Sequence, residues 1–191
     1  MNKVNEDVST KQKLIDISKE LFSEKGFDKV SIDEICAAAG VTKGSFYHHF
    51  RSKYDIPIQQ YRAIQEAFYN DYEKTAKEGN SERLRKAVMW YADYCTPDKI
   101  NVLRNYYKVI MNSAKSKVLR KIEIESNVFR ELLTVGKAQK IYNENLNVDF
   151  YVEVITRFIF SLLIDWTVFE GRIDLRSELA DFYENITKAM K

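Results

Sequence analysis

The chain has 191 residues, 45% of them hydrophobic and 30% charged, with a formal net charge of +2, which allows one large domain or two small ones with a real core. Six glycines and two prolines among many Leu, Lys, Glu and Ala exclude a turn-rich β architecture and predict an all-α protein of about nine helices. Cys36 and Cys95 are too few for a disulfide framework and lack metal-type spacing, the N-terminus has no apolar leader core, and the run from Phe158 to Ile164 falls far short of the roughly 20 residues that span a membrane, so a cytoplasmic chain without metal or cofactor is expected.

In chain order, Ser9 followed by Gln12 reads as a capping box opening a first helix, with Leu14, Ile17, Leu21 and Phe22 on one face. Gly26 stands where that helix must stop, and Phe27 supplies the hydrophobic contact that follows. Ser31 and Glu34 form a second capping box, starting a short helix that Gly40 ends. Thr42 is the N-cap of a third, in which Phe46 and Phe50 share a face. Ser52 to Asp55 starts a fourth, running through Tyr61, Ile64, Phe68 and Tyr72 to Gly79. Pro57 sits one turn inside it and predicts either a kink or a later start. Ser81 to Cys95 is a fifth helix. Pro97 opens the next, through Val102, Leu103, Tyr106 and Ile110. Another carries Val118, Ile122, Phe129 and Leu132 to Gly136, before a loop over 137–147.

The last two helices are more apolar. Val148, Val152, Ile155, Ile159, Leu162, Trp166 and Phe169 keep a 4,3 spacing, yet Val154, Phe158, Phe160, Leu163 and Ile164 lie off that seam. A helix with so narrow a polar stripe must be covered on more than one side. The final helix repeats the seam with Leu175, Leu179, Phe182 and Ile186. Val152, Ile155, Ile159 and Leu162, with those four, are the expected interface of a homodimer.

Three short helices with a tight glycine turn between the second and third make a helix-turn-helix. Its reading helix enters the major groove with its first residues at the base edges. Here these are Thr42, Lys43, Gly44 and Ser45. Gly44 costs helix stability, roughly 1 kcal/mol against Ala, which makes sense where DNA approaches the backbone. Tyr47, His48, His49, Arg51 and Lys53 follow, each able to donate to phosphate. Residues 1–55 hold nine basic and nine acidic side chains. The positive field is therefore local to 41–54, where Lys43, Arg51 and Lys53 meet no acid. The adjacent His48 and His49 point roughly 100° apart and cannot share an ion.

The segment SIDEICAAAGVTKGSFYHHFRSKYDI resembles the DNA-binding signature of the tetracycline-repressor (TetR) family, and LIDISKELFSEKGFDKV resembles that family's first helix. Cys36 in place of a small Ala, and Pro57, depart from the pattern. The resemblance implies a helix-turn-helix DNA-binding domain over 1–55 and a helical ligand-binding and dimerisation domain over 56–191. It places Thr42, Lys43, Ser45, Tyr47, His48 and Lys53 at DNA-contacting positions, with phosphate contact at the helix start by Ser31. It implies a repressor of a palindromic operator in double-stranded DNA, released by a small-molecule effector.

Residues 56–191 hold ten Tyr, seven Phe and two Trp. Each taken singly reads as packing. Together, Trp90, Tyr91, Tyr94, Tyr106, Tyr107, Phe129, Phe158 and Trp166 are candidates to line a pocket for a lipophilic or aromatic effector, with Asp93, Asn105, Glu125 and Asp165 as polar orienting groups. The alternative is a module of the same fold acting through protein partners without operator binding. No nucleophile elbow, phosphate loop or paired His and carboxylate spacing is present, so no enzyme is expected.

Overall fold

The computed structural model describes residues 3–112 and 123–191. Among the described residues there are nine α-helices and no strand: α1 (Lys3–Lys25), α2 (Ile32–Ala39), α3 (Lys43–His49), α4 (Asp55–Glu73), α5 (Asn80–Tyr94), α6 (Ile100–Asn112), α7 (Glu123–Ala138), α8 (Val148–Val168) and α9 (Leu175–Ala189). A single 3-10 turn, Pro97–Lys99, leads into α6. Val118 and Ile122, expected on the seventh helix, lie outside the described residues.

Local chemistry explains most helix ends. Gly40 closes α2 with φ 63°, a left-handed conformation that only glycine adopts cheaply. Arg51 and Ser52 donate their backbone N–H groups to the Asp55 carboxylate at 2.7 and 3.2 Å, which sets the start of α4. Pro57 then falls in the first turn, where a backbone N–H has no helical partner, so the later start is realised. Two boundaries differ from expectation. α1 begins at Lys3, so Ser9 lies inside it, and Gln12 donates to Asp16 at 2.9 Å rather than closing a capping box. No breaker precedes Ser9, so the backbone ladder propagates through it. α4 ends at Glu73 rather than Gly79, because the Thr75 hydroxyl donates to the Tyr72 carbonyl at 2.7 Å and turns the chain.

The chain divides into two compact units: Met1–Arg62 with Asn101–Asn112, and Ala63–Ile100 with Ser113–Lys191. In the first, α1 packs on α2 and α3, and α2 packs on α3. Leu14, Phe22, Ile35, Ala39, Phe46, Phe50 and Ile56 form its core, joined by Val109 of α6. Sorted by packing, α6 therefore belongs with the N-terminal helices.

In the second unit α5 packs on α7 and α9, and α8 packs on α7 and α9, a closed ring of four helices. Leu84, Val88, Phe129, Leu132, Ile155 and Leu179 are buried within it. Val152, Ile155, Ile159, Leu162, Leu175 and Leu179, expected at a dimer interface, are all buried inside the single chain and pack as its core. Only Phe182 and Ile186 of that set stay partly exposed. The regular seam is the core seam. Off the seam, Leu163 is buried too, whereas Val154, Phe158, Phe160 and Ile164 are half-buried, and Phe158 stacks on Phe182 with ring centroids 3.9 Å apart; the seam's last residue, Phe169, is exposed, as is Phe150.

Candidate nucleic-acid interface

α2, the turn at Gly40 and α3 form a helix-turn-helix whose parts are held by their own caps. Ser31 Oγ accepts from the Glu34 backbone N–H at 3.2 Å, and the Glu34 carboxylate accepts from the Ser31 N–H at 2.9 Å. Thr42 Oγ1 accepts from the Ser45 N–H at 3.2 Å and starts α3. On α3, Phe46 points into the core, with Phe50 at its C-cap beside it. That leaves Lys43 and Tyr47, one turn apart, and Gly44 and His48, one turn apart, as two adjacent exposed rows. Thr42 and Ser45 sit at the open N-terminal end of the same face. This is the part of a reading helix that meets base edges. His49 is half-buried, its ring tilted against Phe50 at 6.3 Å, and so lies off the open rows.

The cations of the head are less available than the sequence suggests. Lys43 Nζ pairs with Asp33 of α2 at 2.7 Å, and this pair is exposed on both sides. Lys25 pairs with Glu34 at 2.9 Å. The bond from the Ser31 backbone, then the Lys25 ammonium, then the Ser31 hydroxyl hold the Glu34 carboxyl down at about 2. Both Ser31 donors are thus occupied by a carboxylate, and a phosphate at the α2 start would have to compete with it. Lys53 departs furthest from expectation. Its Nζ donates to the carbonyls of Phe27, Asp28 and Val30 at 3.0, 3.1 and 2.9 Å, a tie within the head where the resemblance implied a DNA contact. A second tie that sequence could not reveal joins Lys108 of α6 to the Asp28 carboxylate. Its partners are far apart in the chain and carry no motif.

The sequence profile of bacterial regulatory proteins of the tetR family matches residues 14–57, which contain α2, α3 and most of α1. The likeness to the tetR family is carried by this N-terminal segment. The transposon Tn10 TetC protein of Escherichia coli is 58% identical over 45 residues, 24% of this chain and 23% of that protein. The match thus spans less than a quarter of that relative's length. The probable acrEF/envCD operon repressor of Escherichia coli K12 is 22% identical over 192 residues, covering 96% of this chain and 87% of that one. Among solved structures, Thermus thermophilus FadR, a TetR-family repressor in complex with lauroyl-CoA, superposes with TM-score 0.78 at 17% identity over 95% of each chain.

The candidate effector residues do not converge. Trp90, Tyr91 and Phe129 surround Phe68 with centroids 5.4, 5.7 and 6.2 Å away. Tyr94 stacks on the outer side of Trp90 at 4.3 Å. Tyr106 and Tyr107 belong to the other unit, where Tyr106 lies flat on Tyr61 at 3.8 Å. Phe158 faces Phe182 at the surface, and Trp166 is buried near Gly171. A single aromatic pocket is therefore corrected to several packing clusters, because helical spacing gives a side chain's face but not its neighbour. One cleft of about 430 Å³ in the second unit is lined by buried Phe68, Met89 and Trp90 with exposed Lys74, Arg85 and Arg176. The Trp90 indole N–H donates to Asp71 at 2.9 Å there, and Asp93, which also lines it, pairs with Arg176. Another, of about 630 Å³ between α4 and α7, is lined by Tyr69 and Val128 together with Glu66, Asn70, Asn127 and Glu131. Glu125 is buried and accepts from Gln65 at 2.6 Å.

Burial pushes the Cys95 thiol up to about 12 and the Cys36 thiol up as well, the reverse of what a nucleophile needs. Among the described residues no three His, Cys, Asp or Glu side chains gather as metal ligands, and no helix is long and apolar enough to cross a membrane.

Proposed function

We propose that the chain is a dimeric transcriptional repressor. Residues 1–55 read a palindromic operator through α3, and residues 56–191 dimerise and take a small lipophilic effector that releases it. The observation that carries the DNA-binding reading is the exposed double row of Lys43, Gly44, Tyr47 and His48 on a helix whose other face is locked by Phe46. A solvated face of that composition has no structural reason to hold a glycine. Its sequence-specific contacts are assigned to Thr42, Lys43, Ser45, Tyr47 and His48.

Dimerisation is supported by the apolar side chains Phe150 and Val168 exposed on α8 and by the half-buried Phe158–Phe182 stack of α8 and α9. These are better sites for a two-fold contact than the buried seam. The effector class is supported by the cleft over Phe68, Met89 and Trp90, and by FadR of the same fold holding lauroyl-CoA. α4 begins in one unit and ends in the other, so it can carry a change from cleft to head. An effector and DNA must weaken each other by the same factor, typically about 5- to 150-fold.

A gel shift against duplex DNA selected by the protein from a randomised pool, and against DNA upstream of its gene, tests the reading. Lys43→Ala and His48→Ala should each weaken binding roughly tenfold and relax preference at one base pair. Parent-like binding by both variants would remove α3 from the groove.

A further inference from the structure

We propose that Lys53 serves recognition as a positioning residue: its ammonium ties the turn leaving the reading helix to the loop entering α2, and it does not bind phosphate. An ammonium has three protons and no more. Here the carbonyls of Phe27, Asp28 and Val30 receive all three, at 3.0, 3.1 and 2.9 Å. The charge also lies over the Phe27 ring, 4.9 Å from its centroid, where the ring face attracts it. Lys53 is half-buried. To reach a DNA phosphate it would have to give up at least one carbonyl and the ring.

The two segments it joins define the helix-turn-helix. Lys53 lies between α3 and α4, and the carbonyls lie between α1 and α2. Val30 directly precedes the Ser31 cap of α2. Tyr54 adds an edge contact to the same Phe27 ring at 5.3 Å, and Phe27 in turn meets Phe22 of α1 at 4.9 Å. Lys108 holds the Asp28 carboxylate while Lys53 holds the Asp28 carbonyl, so one loop residue is fixed from both sides. Cutting the Lys53 tie frees the loop before α2 from the turn after α3. The angle between α2 and α3 is then left to the turn at Gly40, the exposed Lys43–Asp33 pair and the packing around Phe46.

This proposal rests on the DNA-binding reading, and its test separates the two. Lys53→Met removes the donors and the charge. Lys53→Gln removes the charge but keeps two N–H donors, and guards against a Met variant that does not fold. Amide hydrogen exchange without DNA should be faster over residues 26–34 in Lys53→Met than in the parent, with the middle of α1 unchanged. Unaltered exchange over that loop overturns the tie. With a duplex selected by the parent from a randomised pool, each phosphate contact contributes about 0.9 to the slope of log K against log salt. Positioning predicts an affinity lower by about tenfold for Lys53→Met, less for Lys53→Gln, and the parent's slope for both. A slope lower by about one unit in both variants makes Lys53 a phosphate ligand and overturns the proposal. If the parent selects no duplex, the DNA-binding reading falls and the recognition role with it, whereas the exchange result still decides the tie.

Discussion

Gly44→Ala is expected to move stability and DNA binding in opposite directions. Gly44 is the second residue of the seven-residue α3 and is exposed. A Cβ built there meets only Thr42 Oγ1, at 3.6 Å, an ordinary van der Waals distance. The protein itself therefore has room for alanine. Replacing Gly by Ala in a helix gains about 0.5–1 kcal/mol through backbone entropy. At about 2–4 °C per kcal/mol for a chain of this size, the free variant should melt about 1–4 °C higher. The added methyl projects from the face that carries Lys43 and His48, where the backbone is nearest the groove. Displacing α3 by even part of a methyl radius should cost at least about tenfold in affinity, or about 1.4 kcal/mol. Differential scanning fluorimetry of the free protein and anisotropy with a labelled selected duplex measure the two effects separately. A variant that melts higher and binds DNA like the parent would refute the close approach of backbone to DNA. A variant that melts lower would refute the claim that the fold does not need this glycine.

Other expectations follow from the same geometry. Phe182→Asp puts a charge against the Phe158 ring in the half-buried α8–α9 pair; sedimentation should then show a species of 22.5 kDa where the parent sediments at twice that mass, and a monomeric parent would end the dimer reading. Gly136→Ala would drive a Cβ into the Tyr142 ring, so chemical denaturation should show a loss of about 1–3 kcal/mol from overpacking; an unchanged midpoint would mean that Tyr142 moves freely. Acid should loosen the α2 cap. The Glu34 carboxyl is depressed from 4.5 to about 2 by Ser31 and Lys25, so its contribution is fully present above the unfolded value and is lost as pH falls through the folded one. Hydrogen exchange at the Ser31 and Glu34 amides should rise between those two values, and Glu34→Gln should remove that dependence; the same acid response in Glu34→Gln would assign it to another group.

What the residues determine by themselves is local. A serine with a glutamate three positions on caps α2 because the two side chains reach each other's backbone within one turn. Gly40 ends α2, and Thr42 starts α3, for reasons equally short in range. The same signal fails at Ser9, where the helix continues upstream and the backbone ladder outcompetes the cap. The reading head was legible because such short-range chemistry defines it. The body was not. α8 is apolar around most of its circumference, so periodicity offers two stripes and cannot say which one α7 and α9 cover. Packing chose Val152, Ile155 and Ile159 for the core and left Phe150 and Phe158 outside. Lys53 shows the same division for a charge. Its place in the sequence suggests a cation beside DNA. Only the tertiary fold brings the carbonyls of Phe27, Asp28 and Val30 around its ammonium, because contacts between segments distant in sequence depend on how helices pack and leave no periodic trace in the chain.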